Sequence, residues 1–148
     1  MIQLCNGPYA VLFRTHKLWQ RHPHLENRFV LPPELLAVLR HPNIVKVGVA
    51  LRDDAKRLMI ECPGSFITPI EDIHEMPLYH RTFPKSLLAL TAIYLGVRID
   101  KGKKVRLSNW ATTKKLTERQ IQYAATDAWA SLAVYERMRE LQALHHLY

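Results

Sequence analysis

The sequence predicts an α/β protein, a mixed sheet flanked by helices. Three observations carry that expectation. Ile44–Ala50 is a β-branched run suited to a buried strand. Pro33–Arg40, Lys85–Leu95 and Glu118–Leu144 repeat apolar residues at helical spacing. Short apolar stretches, Ile2–Cys5 and Tyr9–Phe13, precede them around Asn6-Gly7-Pro8, a turn signal.

Each element has a local reason. After the two first strands, Lys17–Arg28 is polar and His-rich and reads as a loop or a loosely packed helix. Pro33–Arg40 starts on proline, places Leu35, Leu36 and Leu39 on one side, and stops before Pro42. Asp53–Ile60 reads as a helix with aspartate at its N-terminus, where the helix dipole favours an anion. Cys62–Phe83 carries Pro63, Gly64, Pro69 and Pro77 and reads as irregular, with one strand expected at Phe66–Ile70. Lys85–Leu95 ends at Gly96, a C-terminal cap. Asp100–Arg106 reads as a basic loop. Thr117 and Gln120 form a capping box that starts the last helix, whose apolar face is expected at Ile121, Ala125, Leu132 and Tyr135.

Composition narrows the class. The 148 residues, 48% hydrophobic and 23% charged, suit one compact domain over residues 1–148. No apolar run approaches the roughly 20 residues that cross a bilayer. The N-terminus lacks the order of a secretory signal, and Cys5 and Cys62 are too few for a disulfide framework, so an intracellular, reducing setting is expected. Cys62, His74 and His80 fit no standard zinc spacing. A net charge of +8 and a pI near 9.7 point to a polyanionic partner.

The chemistry-bearing segment is Thr117–Tyr135. Tyr123 and Asp127 stand at i and i+4, so a phenol and a carboxylate share one helix face. A carboxylate can hold a hard cation, and a nearby phenol can orient water. The basic residues Lys101, Lys103, Lys104, Arg106, Lys114 and Lys115 precede this helix and are candidate phosphate contacts. Trp110 and Trp129 read as packing residues.

The block Gln122–Trp129, QYAATDAW, resembles the third motif of the DEDDy 3′–5′ exonucleases, the family of RNase D and the Werner-syndrome exonuclease domain. The resemblance extends over Ser86–Gly96, over Val105–Trp110 with its Ser-Asn-Trp, over Val45–Leu58 as a second motif with Asp54 in the aspartate position, and over Ile2–Cys5 as the family's second strand. It implies an RNase H-like exonuclease fold, here N-terminally truncated, because the family's first strand and its Asp-x-Glu precede the segment matched by Ile2–Cys5. These 148 residues contain no Asp-x-Glu. The resemblance further implies two-metal phosphodiester hydrolysis on DNA or RNA with Mg²⁺ or Mn²⁺. Asp54 and Asp127 carry over as metal ligands, and Asp54, Tyr123 and Asp127 as the catalytic set, converging at the end of the Ile44–Ala50 strand. Without Asp-x-Glu, metal binding is expected to be impaired.

Three readings follow. The first is an exonuclease-family domain acting on or binding nucleic acid. The second is an inactive pseudonuclease that serves as a nucleic-acid-binding or structural subunit of a ribonucleoprotein or other complex. The third is a protein-interaction module. Loss of a central strand leaves unpaired backbone on both sides, so a protein partner or oligomer is expected to complete the sheet, with no membrane involved.

Overall fold

A computed structural model describes residues 1–18, 20–21, 29–79, 85–100, 102–112 and 114–145. The chain opens on an antiparallel hairpin of β1 (Ile2–Cys5) and β2 (Ala10–Phe13), with Ile2 opposite Phe13 and Cys5 opposite Ala10. Gly7 sits in its turn at φ +106°, a conformation that L side chains rarely adopt. A single helical turn, α1 (Thr15–Leu18), and a short ladder of β3 (Gln20–Arg21) with β4 (Phe29–Val30) follow. Lys17–Arg28, read as a loop or a loosely packed helix, is helical at Lys17–Leu18 and is corrected to a strand at Gln20–Arg21; residues 19 and 22–28 lie outside the described residues. Pairings of two residues are too short to leave an alternation in sequence.

Helix α2 (Pro33–Arg40) matches expectation and buries Leu35 and Leu39. Strand β5 (Lys46–Gly48) is shorter than Ile44–Ala50, because the Ile44 amide donates to His41 and closes a turn. Lys46 is buried within it. Its ammonium donates to the carbonyls of Val38 at 3.4 Å, His41 at 3.2 Å and Thr68 at 2.5 Å, and burial lowers its pKa.

Helix α3 (Leu51–Glu61) begins two residues before Asp53. The reason lies elsewhere in the chain. Strand β6 (Ile70–Asp72) pairs parallel to β5, with Gly48 opposite Asp72. The buried Asp72 carboxylate then accepts the amides of Ala50 at 3.1 Å, Arg52 at 3.2 Å and His74 at 3.1 Å. It satisfies the orphan donors of α3 and of the 3-10 turn Ile73–Glu75 together. Ala50 takes the left-handed conformation, φ +55°, to enter this cap. The expected strand at Phe66–Ile70 is thus corrected to Ile70–Asp72. Ile-Glu-Asp has no strand pattern of its own, and pairing with β5 fixes it.

Helix α4 (Leu87–Leu95) is capped by the Ser86 hydroxyl, which accepts from the Ala89 amide, and ends at Gly96 at φ +67°. The basic loop expected at Asp100–Arg106 contains one helical turn, α5 (Lys103–Arg106). Helix α6 (Glu118–His145) packs against α4, α5, β1, β2 and β5. Its buried apolar residues are Ala124, Ala130, Val134 and Met138 rather than the predicted face; Ile121 is 47% exposed and Ala125, Leu132 and Tyr135 are half-buried. Residues 121–135 are apolar around most of the helix, so periodicity does not select the buried side. The main core joins α6 to Leu87, Leu90, Ile73 and Met76, while a second cluster holds Leu31, Leu35, Leu39 and Cys62.

The α/β class and the mixture of parallel and antiparallel pairing are as expected. Among the described residues, however, the strands form three two-stranded ladders rather than one sheet. Strands β1 and β5 flank a groove of about 410 Å³ lined by Ile2, Leu4, Val45, Val47, Leu51 and Asp54.

The Asp72 cap yields a prediction. Asp72→Ala strands three amides and should lower stability by about 3 kcal/mol, a fall in Tm of roughly 6–12 °C for a chain of this size. Ala50→Gly should act in the opposite direction, by ~0.5–1 kcal/mol, by relieving the left-handed alanine. Thermal denaturation of both variants checks the pair, and an unchanged Tm for Asp72→Ala would refute the cap's role.

Candidate active site and nucleic-acid interface

The site is built from the start of α6. The Thr117 amide donates to the Gln120 side-chain oxygen at 2.9 Å, and the Gln120 amide donates to the Thr117 hydroxyl at 3.2 Å, the capping box read from sequence. Gln120 is buried and does more. Its side-chain Nε2 donates to the Ser108 hydroxyl at 3.0 Å and the Asn109 carbonyl at 3.3 Å. The Ser-Asn-Trp segment is thereby fastened to the first turn of α6. Next to it, the Trp110 indole donates to the Arg106 carbonyl at 3.2 Å, and its ring lies 6.0 Å from the Tyr123 ring at a 49° tilt. Trp110 is a packing residue, as expected, and what it packs against is the candidate catalytic tyrosine.

Tyr123 and Asp127 are brought together. Loss of water raises the Tyr123 pKa most, the Asp127 charge raises it further, and Arg106 opposes both. The phenol is therefore a neutral hydroxyl at physiological pH. Asp127 is half-buried one turn along, and its backbone carbonyl accepts from Ser131 at 3.0 Å.

Asp54 comes from a different helix. It lies on α3 and lines the groove between β1 and β5. Loss of water raises its pKa, Arg57 lowers it, and Asp53 and Asp72 raise it. The residue as a whole is exposed, so solvent screens this shift and it carries little free energy. Asp54 lines the groove beside β1 and β5, and Tyr123 lines a cleft beside α5. The Asp72 cap sets where α3 begins, which local sequence does not reveal.

The basic residues divide similarly. Lys103 and Lys104 line a cleft of about 680 Å³ that opens on Tyr123. Arg119, Gln122 and Thr126 form its α6 wall, and Asp100 lies at the same cleft. Arg106 acts on Tyr123 from beside it. Lys114 and Lys115 are exposed and do not line this cleft, and Lys101 lies outside the described residues. Sequence reading missed Arg119, Gln122 and Thr126; their signal is the spacing i, i+3, i+7, which places them on one helix face. These cations, with hydroxyl and amide donors between them, can neutralise and orient phosphates.

A two-metal centre needs several hard oxygen ligands around ions roughly 3.5–4 Å apart. Among the described residues, no group of three His, Cys, Asp or Glu side chains could hold a metal ion. Asp54 and Asp127 by themselves therefore do not fit that centre.

Comparison with known proteins places this geometry. The chain is 31% identical over 116 residues to Exonuclease 3'-5' domain-containing protein 2 of Drosophila melanogaster, covering 78% of this chain and 20% of that protein. It is 33% identical over 121 residues to the bifunctional 3'-5' exonuclease/ATP-dependent helicase WRN of Mus musculus, covering 80% of this chain and 8% of that protein. It therefore spans a minor part of the length of either relative. In fold it is similar to Brucella melitensis NrnC, at 22% identity and a TM-score of 0.62, over 75% of this chain and 53% of that one. The 3'-5' exonuclease family model matches residues 1–142, and the chain belongs to the 3′–5′ exonuclease family.

Proposed function

We propose that this domain grips nucleic acid by its phosphates in the cleft between α5 and α6, and delivers the chain to the Tyr123–Asp127 pair. The observation that carries this reading is the cleft itself: Lys103, Lys104 and Arg119 meet in a cavity that opens on the candidate catalytic tyrosine. Positive groups facing one cavity lower the free energy of a bound polyanion and release its counterions. Lys114 and Lys115, exposed beside the start of α6, extend the positive approach. The neutral Tyr123 hydroxyl can donate to a phosphate oxygen or orient a water, and the Asp127 carboxylate can accept in return. Binding and orientation are what these residues supply, which favours a nucleic-acid-binding role for the chain as it stands over complete hydrolysis.

Binding is tested by anisotropy of a labelled single strand across salt concentrations. Reversing Lys103, Lys104 and Arg119 to Glu should weaken association and flatten the slope of log K against log salt by about 0.7 for each phosphate contact removed. Unchanged affinity would exclude this cleft.

Activity is tested separately. In Mg²⁺ or Mn²⁺ the purified chain should show no processive 3′–5′ trimming of labelled DNA or RNA, because the ligand set above is incomplete. Trimming that Asp127→Asn abolishes would prove this expectation wrong.

The facing edges of β1 and β5 support a second part of the reading. An extended apolar segment from a partner subunit would pair with both strands and cover Ile2, Leu4 and Val47. The Lys46 amide already donates to Pro69 on the β6 side, so alternation points the Val47 amide toward the groove. In the monomeric chain, hydrogen exchange should be slow at Lys46 and fast at Val47. Strong protection of Val47 in a monomer would remove the need for a partner strand.

A further inference from the structure

We propose that Trp129 is a base-stacking platform at the far end of the phosphate cleft, so that the domain takes unpaired, single-stranded nucleic acid. The proposal rests on the nucleic-acid reading above and adds a residue to it. Trp129 reads as a packing residue in sequence, yet its side chain leaves it 42% exposed on α6. It lines a second cavity, about 360 Å³, whose other wall is the β1–β2 turn at Gly7 and Pro8. Thr126 lines both this cavity and the basic cleft. The two therefore meet along one side of α6, running from Arg119 through Gln122 and Thr126 to Trp129.

The chemistry of this track is asymmetric. One end presents ammonium and guanidinium groups, and the other a wide aromatic face beside a flat Gly-Pro turn. That order matches a polymer with charged phosphates and apolar, flat bases. From Arg119 to Trp129 the helix rises about 15 Å. A base can lie on the indole only if its own pairing and stacking partners are absent, so a duplex interior cannot use it. Base–aromatic stacking tolerates every base, because each has a π face. The platform should therefore favour single strands without reading their sequence. A protein ligand for the same indole is the alternative that the test must separate.

The experiment compares three labelled probes of equal length by anisotropy: oligothymidylate, an abasic strand with the same phosphates, and a blunt duplex. Trp129→Ala should weaken oligothymidylate binding about five- to tenfold, the lower part of the range for one stacked base. It should leave the abasic strand, the duplex and the salt slope unchanged, which also shows that the variant is folded. Trp129→Phe, which keeps a smaller ring, should fall between. Oligothymidylate should quench the indole fluorescence of the unaltered protein, and the quenching should be smaller in Trp129→Phe. If Trp129→Ala binds all three probes like the unaltered protein, the stacking proposal is overturned while phosphate binding stands. If the unaltered protein binds none of them, the nucleic-acid reading fails and this proposal fails with it.

Discussion

Helix α6 is the constraint on which the rest of the structure depends. It must bury one side against α4 and the β1–β2 and β5–β6 ladders, and still leave a second side open for chemistry. Two alanines, Ala124 and Ala130, are fully buried on it and let neighbouring backbones approach closely, while Val134 and Met138 fill the wider end of the core. Because Tyr123 and Asp127 belong to the same rigid helix, their spacing follows from helical geometry rather than from loops. Tyr135 adds a polar tie: its hydroxyl donates to Glu71 at 2.7 Å, fastening α6 to β6. A shift of this helix would therefore move core, ladder and site together.

Two buried polar side chains do for β5 and β6 what sheet pairing alone does not. Lys46 gathers three carbonyls at one end of the ladder, and Asp72 gathers three amides at the other. Each would be costly to bury alone, and each is tolerated because it is hydrogen-bonded to several backbone groups. The result fixes where α3 begins, and hence which groove Asp54 faces. The position of a candidate functional carboxylate is thus set by a residue 18 positions later in the chain, a count read directly from Asp54 and Asp72.

The basic cleft and the neutral phenol are electrostatically consistent with one another. Arg106 and the cleft cations provide positive potential, while burial and the Asp127 charge keep Tyr123 protonated. A polyanion entering this site meets donors rather than a phenolate. Family membership and this charge arrangement agree on nucleic acid. The two candidate carboxylates come from different helices, α3 and α6.

Local chemistry made much of this legible in sequence. Gly7 and Pro8 marked the hairpin, Pro33 and Pro42 bracketed α2, Gly96 ended α4, and Thr117 with Gln120 started α6, because turns and caps are decided within a few residues. The Tyr123–Asp127 pair was legible for the same reason, its spacing being one helical turn. Tertiary structure alone decided the rest. Strand β6 exists because β5 offers it a ladder, α3 starts where Asp72 caps it, and the buried side of an almost uniformly apolar α6 is chosen by what packs there. Trp129 is exposed and Arg119 joins Lys103 for that reason too. Those outcomes depend on contacts between residues far apart in sequence, which no local periodicity encodes.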